Sequence, residues 1–521
     1  MSGRWRRCAT WIGVLVVAAV VRVPFVLRVG PNEGGGDEWY AAWRSWSVLF
    51  ERGNPGSFIH PALFYEAGAA LFSACYLAGA LSGAFHTPVD LLADFVRNEA
   101  KYLGALQMVA AAFGALTVPV VFELGRRVGG WRAGLVGAGV LTVLPLHVQY
   151  SQRARVDSLC VLLTACSALA LHRLSERGRR RDFVSSGVAI GLATAANYPA
   201  AALGVAYVAA AALARGRSTP SEWVRSFALG ALAAIGVFVL TNPYVVLAPA
   251  AAWSGITFLV SFTMRRHPYM DKASDWFYLG LLGNEGALFA ILAVGASAWL
   301  AIRGPGFRRI LGAFPWIVFG AFALVRTRED RYILLALPWL CAGIGVLLGG
   351  VIARRRSWVA AASLVLVALT TVQLWQRTAP LALVERAGEH PRWVMQRWLL
   401  RHTPPGATIW LESDVLPLLQ AVFADPGGRL QRRLRAAFLQ VHPGFDARVL
   451  KGEVVERIAS FDPRLIVEHE VALAVACERS LEYVRSAGPE LDDARAFYAA
   501  LAAHGTRRFE AMGCWIAEIA P

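Results

Sequence analysis

Lysine is nearly missing from this chain: Lys101, Lys272 and Lys451 are its only lysines among 52 basic side chains in 521 residues. None is followed by Ser or Thr, which excludes a phosphate-cradling Walker loop. Cysteine is sparse too. The seven residues Cys8, Cys75, Cys160, Cys166, Cys341, Cys477 and Cys514 are scattered, several inside apolar runs, and none has CxxC spacing. Neither a zinc site nor a disulfide framework is therefore expected. There is no GxSxG elbow, no HExxH helix, no low-complexity tract and no convincing internal repeat. Charged residues make up only 17% of the chain, well under the roughly 25% usual for soluble domains. What fills the space is apolar: 56% hydrophobic residues and a mean hydropathy of +0.46. That composition belongs to a polytopic α-helical membrane protein. The net charge of +16 is spread in short basic clusters between apolar runs, a pattern that orients helices in a bilayer. No nucleic-acid partner is expected.

A span needs about 20 apolar residues. Eleven runs qualify, at 9–28, 102–122, 133–151, 156–173, 183–197, 199–214, 226–246, 279–302, 310–325, 332–352 and 357–376. The first follows Arg4, Arg6 and Arg7 with no small-residue cleavage site, so it reads as an uncleaved span. The pair 183–197 and 199–214 is short and divided at Tyr198-Pro199, a tight hairpin or broken helices. The run 62–83 is ambiguous, and loop charge decides it. If it lies along or dips into the membrane, the basic loops at 126–132, 173–181, 215–225, 303–309 and 354–356 all share a side with the N-terminus, which is the cytoplasmic side. Residues 29–101 then form one large first outer loop. The outer face receives Asp37 and Glu38, His60-Pro61, the turn 150–157, the loop 247–278 and the stretch 326–331.

The chain divides on this reading into a membrane part, 1–380, and an extracytoplasmic tail, 381–521. In the tail, helical patterns (384–401, 429–440, 447–460) alternate with short β-like runs at 408–411, 465–468 and 514–517, which reads as a small α/β domain.

Three constellations on the outer face carry chemistry. Gly34-Gly35-Gly36-Asp37-Glu38-Trp39-Tyr40 sets two carboxylates behind flexible backbone, with aromatics suited to a membrane boundary; a solvated loop is the alternative. Arg155-Val156-Asp157, after Tyr150-Ser151-Gln152-Arg153, puts a carboxylate at a span mouth, where ionisable groups are functional candidates, unless Arg153 or Arg155 simply pairs with it to close the helix end. Arg326-Thr327-Arg328-Glu329-Asp330-Arg331-Tyr332 sets three arginines against the positive-inside bias. Guanidinium groups match phosphate bidentately, while Glu329 and Asp330 offer internal neutralisation instead. His60 and the basic group Arg265-Arg266-His267 are weaker signals.

The order of these motifs resembles the GT-C superfamily of membrane glycosyltransferases, in the branch of protein O-mannosyltransferases and lipid A aminoarabinose transferases. The matching pieces are an Asp-Glu-x-x-Tyr-like pattern (Asp37-Glu38-Trp39-Tyr40, with Tyr one place early), His60-Pro61-Ala62-Leu63, Tyr150-Ser-x-x-Ala-Arg-x-Asp157, Asn242-Pro243-Tyr244, and Arg331-Tyr332 ahead of a span holding Pro338. Ala62 departs from the pattern, where a second proline is usual. The resemblance covers residues up to about 380. It implies an inverting transferase that moves a sugar from a polyprenyl-phosphate donor to an acceptor (glycolipid, protein or glycan) on the extracytoplasmic face; the apolar runs supply the expected eleven or so spans, and the Arg-rich, Lys-poor composition the expectation of a bacterial inner membrane. It implies Asp37 as general base with Glu38 as its rival, Asp157 as a positioning carboxylate, and Tyr40, His60, Arg155, Arg326, Arg328, Arg331 and Tyr332 as substrate-binding residues. It brings no nucleotide cofactor, since the sugar arrives activated, and it assigns no metal ligands while leaving a divalent metal open. A transporter or flippase of a lipid-linked glycan would also want outer arginines and intramembrane carboxylates, although transporters commonly carry internal repeats.

Overall fold

The structure is a computed structural model that describes residues 3–29, 36–264, 276–353, 357–383, 391–412, 415–423, 428–452, 462–468, 470–486, 492–511 and 513–519. Six described helices are long and apolar enough to cross a bilayer: Trp5–Pro24, Leu63–Leu81, Glu99–Gly129, Asp157–Arg177, Pro220–Thr241 and Trp358–Pro380. Trp131–Thr142 and Pro145–Ser151 make a further crossing if the pair, bent by 64°, is one span. Shorter apolar helices run over Tyr198–Leu213, Pro249–Met264, Ala287–Arg303 and Leu337–Ala353. The chain is an integral membrane protein.

Local sequence explains where these helices differ from the expected runs. The run 133–151 is broken, because Pro145 lacks the N–H an uninterrupted helix needs and instead starts a new one at its first position. The expected loop at 247–278 contains an apolar helix, Pro249–Met264; Arg265, Arg266 and His267 lie outside the described residues. The acidic pair is not in a loop. Asp37 and Glu38 occupy the first turn of helix Gly36–Phe50, where carboxylates offset the positive end of the helix dipole. Gly34 and Gly35 lie outside the described residues.

Two compact units emerge, and neither is continuous in sequence. The first comprises Met1–Gly30, Asn54–Gly68 and Gly104–Glu385; the second comprises Pro31–Gly53, Ala69–Leu103 and Arg386–Pro521.

In the first unit, close helix contact rests on small residues. A Cβ on Gly187 would stand 1.9 Å from the Gly230 carbonyl oxygen, and one on Gly191 would stand 2.5 Å from that of Ala234. Glycine at this four-residue spacing lets helix Arg180–Ala196 meet Pro220–Thr241 backbone to backbone, the usual route to helix association where lipid removes the hydrophobic drive. Helix Asp157–Arg177 packs on Arg180–Ala196 in turn, so this small-residue contact supports the helix that begins at Asp157.

The second unit joins part of the stretch expected to form the first outer loop to the tail. Trp46 is completely buried and packs against Phe72, Phe95 and Tyr102 with ring centroids 4.1, 5.3 and 5.8 Å away. Glu51 accepts from the Leu430 N–H at 2.6 Å and so caps helix Arg429–Val441 from a segment far away in sequence. Arg392 pairs with Glu99 at 3.0 Å, both buried. A five-stranded sheet contains β1 (Ala407–Glu412), β2 (Ala447–Gly452), β3 (Leu473–Cys477), β4 (Gly505–Ala511) and β5 (Cys514–Ile519). Its order is β2-β1-β3-β5-β4; β1 is parallel to β2 and β3, and β5 is antiparallel to β3 and β4. Helix was expected over 447–460, yet Ala447–Gly452 pairs with β1 as a strand, and 453–460 lie outside the described residues. The β-like run 465–468 is instead a short helix, Arg464–Val467, started by Pro463 at its cap. Cys477 and Cys514 form a disulfide, against the expectation of none. They are 37 residues apart with no spacing signature, and only the β3–β5 register sets them opposite each other.

Glu412 closes β1 and carries the local polar network. It accepts from the Cys477 N–H at 2.8 Å, from the Tyr498 hydroxyl at 3.0 Å and from the Ser480 hydroxyl. Burial pushes its carboxyl above the usual carboxylate range, while these three donors pull it back. Glu412→Ala strands three donors in a buried site and is expected to destabilise the tail by about 2–5 kcal/mol. Faster limited proteolysis after β1, with the membrane part intact, is the readout; an unchanged digestion rate contradicts the role given to Glu412.

Candidate active site

In the first unit, helix Pro145–Ser151 presents Tyr150, and the chain then turns to start helix Asp157–Arg177 at Asp157. Asp157 is 4% exposed, and Arg155 Nε stands 3.2 Å from its Oδ2. The guanidinium groups of Arg153 and Arg155 lie 5.3 and 5.7 Å from the centre of the Tyr150 ring, a cation–π arrangement. The helix-closing ion pair raised as an alternative is thus present. It does not exhaust Asp157, which also lines a small cavity with Cys160, Asn197, Phe322, Arg331 and Tyr332.

That cavity unites residues far apart in sequence. Arg331 and Tyr332 reach it from a short 3-10 helix, Asp330–Leu335. Tyr332 stacks on Phe322 at 4.6 Å, and Arg331 Nη2 donates to Glu329 at 2.7 Å, so internal neutralisation holds for this arginine. Arg328 is half-buried and Arg326 exposed. The Arg326 and Thr327 N–H groups both donate to the Thr263 carbonyl, at 3.1 and 3.0 Å, which fixes the start of the arginine stretch against the helix ending at Met264.

His60 is half-buried in a segment strapped by two long-range hydrogen bonds. The Tyr198 hydroxyl donates to the Phe58 carbonyl at 3.0 Å, and the Ala62 N–H donates to Asn242 Oδ1 at 2.6 Å. The departure at Ala62 has a physical reason here: a second proline would lack the N–H that Asn242 uses. Asn242 and Tyr198 hold the motif together, a role the sequence did not assign them.

Asp37, Glu38 and Tyr40 belong to the second unit. Asp37 is exposed and Glu38 is 4% exposed. On a helix, consecutive side chains diverge by about 100°, and the outcome is one accessible carboxylate and one buried one. Tyr40 is half-buried, with the Arg44 guanidinium 4.6 Å from its ring centre.

A second polar cluster in the first unit escaped the sequence reading. Helices on either side of the break at 143–144 leave backbone groups without helical partners, and side chains from other helices serve them. Arg22, completely buried, donates to the carbonyls of Thr142 and Leu141 at 3.3 and 3.4 Å and bonds His147 Nδ1 at 2.8 Å. The Thr378 hydroxyl donates to the Val143 carbonyl at 2.7 Å, and Glu285 accepts from the Leu146 N–H at 2.7 Å. Together they fix the short helix that presents Tyr150. The available signal was an ionisable residue inside an apolar run, as Arg22 and Glu285 both are. No group of three or more His, Cys, Asp or Glu side chains among the described residues could hold a metal ion.

Comparison with known proteins gives a family match over part of the chain and a likeness of fold over nearly all of it. The sequence model of the dolichyl-phosphate-mannose-protein mannosyltransferase family matches residues 101–247, which include Tyr150, Arg155, Asp157 and Asn242. No curated protein matches the chain by sequence. Among solved structures, ArnT from Cupriavidus metallidurans bound to undecaprenyl phosphate is similar at a TM-score of 0.57 and 15% identity, over 99% of this chain and 98% of that one. The archaeal oligosaccharyltransferase AglB from Archaeoglobus fulgidus, in complex with an inhibitory peptide and a dolichol-phosphate, is similar at 0.55 and 14% identity, over 99% of this chain and 75% of that one. At such identities the likeness is one of fold, and the chain has the GT-C fold.

Proposed function

We propose that this protein is an inverting glycosyltransferase that moves a sugar from a polyprenyl-phosphate donor to an acceptor on the extracytoplasmic face of a bacterial inner membrane. The observation that carries this reading is the cavity in which buried Asp157 meets Arg331 and Tyr332, on a fold shared with proteins solved with undecaprenyl phosphate and dolichol-phosphate. A guanidinium beside an aromatic and a carboxylate suits a phosphate-linked sugar: Arg331 faces the phosphate and Asp157 the sugar hydroxyls.

In the reaction, the acceptor hydroxyl or amine forms a bond to the anomeric carbon as the bond from that carbon to the phosphate oxygen breaks. Polyprenyl phosphate departs with the bonding electron pair. The acceptor proton passes to a carboxylate, for which Asp37 is the candidate. Arginine offsets the charge that grows on the phosphate, which helps the transition state more than the ground state. His60, Tyr40, Arg155, Arg326, Arg328 and Tyr332 complete the substrate-binding set on this reading.

Sidedness has independent support. If Leu63–Leu81 does not fully cross, the basic clusters share one side with the N-terminus, and the Cys477–Cys514 disulfide, a bond that persists in oxidising compartments, supports a tail outside the cytoplasm. Purified protein incubated with radiolabelled polyprenyl-phosphate sugar and acceptor extracts is expected to move label from lipid to acceptor. Label that crosses a liposome bilayer while still attached to its lipid supports a transporter instead.

A further inference from the structure

An open groove of about 890 Å³ runs between helices Asp157–Arg177 and Arg180–Ala196, within the usual size range of ligand sites. Its walls are apolar, formed by Leu163, Val184, Val188 and Leu192, and Arg180 and Arg181 line one end. Both arginines are exposed and sit in the first turn of their helix. The nearest carboxylate of that turn, Asp182, is buried and accepts from the Arg179 N–H at 3.3 Å; it is committed to the helix start. Nothing in the glycosyl transfer uses this groove.

We propose that the groove binds an anionic glycerophospholipid, with one acyl chain along the apolar walls and the phosphate on Arg180 and Arg181. Length, polarity and charge agree on this occupant. A rise of about 1.5 Å per residue sets Arg180 and Leu192 roughly 18 Å apart along the helix, close to half of the roughly 30 Å hydrocarbon core. The groove therefore spans a single leaflet, with guanidinium groups at the headgroup level, where long basic side chains extend to meet water and phosphate. Basic pockets between membrane helices on the cytoplasmic side select acidic headgroups, and two adjacent forks can grip one phosphate bidentately. Assigning the site to the cytoplasmic leaflet rests on the orientation proposed above; the binding itself does not.

Native mass spectrometry of the full chain in detergent, with phosphatidylglycerol, phosphatidylcholine or undecaprenyl phosphate added singly and in competition, tests the site. Wild-type protein is expected to retain phosphatidylglycerol about tenfold or more better than phosphatidylcholine, whose choline cation offsets the phosphate charge and is repelled by the two arginines. The double variant Arg180→Gln/Arg181→Gln and the groove-filling Ala189→Phe are each expected to erase that preference, Arg180→Lys/Arg181→Lys to keep part of it, and all three to leave glycosyl transfer unchanged. Equal retention of the two phospholipids by wild-type protein overturns the proposal. So does a preference that survives both the glutamine and the phenylalanine variants, and so does displacement of phosphatidylglycerol from this groove by undecaprenyl phosphate. Because the readout needs neither turnover nor sidedness, its failure leaves the transferase reading untouched, and the reverse also holds.

Discussion

Asp37→Asn is expected to lower turnover by about 10²- to 10⁴-fold, the usual contribution of a positioned base, while donor affinity and fold survive. Two observations separate Asp37 from its neighbour. Asp37 is exposed at the start of helix Gly36–Phe50, where a carboxylate can meet an incoming acceptor, whereas Glu38 is 4% exposed and turned into the packed side of the same helix. Glu38→Gln is therefore expected to act on stability, visible as a lower melting temperature, with turnover per folded molecule nearly intact. A first-turn carboxylate also favours its helix by about 0.3–1 kcal/mol, so Asp37→Asn carries a small stability cost that a melting curve measures separately. Near-normal turnover in Asp37→Asn removes it from the chemistry, and a collapse confined to Glu38→Gln transfers the role to Glu38.

The second large effect is expected at Arg331. Among the three arginines of its stretch, this one lines the cavity with Asp157, whereas Arg326 is exposed. A hydrogen bond to a charged group contributes about 1.5–3 kcal/mol, so Arg331→Ala is expected to weaken donor binding by roughly 10- to 150-fold. Arg326→Ala is expected to change it little, with Arg328→Ala between the two. Lysine at 331 restores charge without the planar fork and rescues only in part. Glu329 holds Arg331 through a 2.7 Å bond, so Glu329→Gln should loosen the guanidinium and weaken donor binding without removing charge from the cavity. Unchanged donor affinity across all three alanine variants, measured by titration with a polyprenyl-phosphate sugar, leaves Arg331 with its structural pairing alone.

Composition carried the membrane class, and motif order carried the resemblance to GT-C enzymes, because both depend on residue type alone. The cavity was half legible. Asp157, Arg331 and Tyr332 stood out as polar residues at span ends, but their meeting depends on helix packing that glycines such as Gly187 permit, and no local pattern announces a packing partner. Arg22 and Glu285 passed unread because the apolar runs around them dominated the hydropathy. The tail was hardest. Leu465-Ile466-Val467 has the composition of a strand, yet a short apolar run cannot be told from a short buried helix by periodicity, and Pro463 turned the balance. The Cys477–Cys514 bond required strand register, which two cysteines 37 residues apart do not encode. The joining of helix Gly36–Phe50 to the tail in one compact unit likewise depends on tertiary groups such as Glu51 that look like ordinary surface charge in the sequence.

The most direct test of the central claim is the stoichiometry of the reaction in purified protein reconstituted in lipid nanodiscs with a polyprenyl-phosphate sugar and acceptor. Both products are followed at once, polyprenyl phosphate by chromatography and the new glycoside by its anomeric proton. The account predicts one polyprenyl phosphate released for each sugar transferred, with the anomeric configuration inverted. Glycoside formed with retained configuration contradicts the single-displacement chemistry, and donor that stays intact in the presence of every acceptor class contradicts the transferase itself.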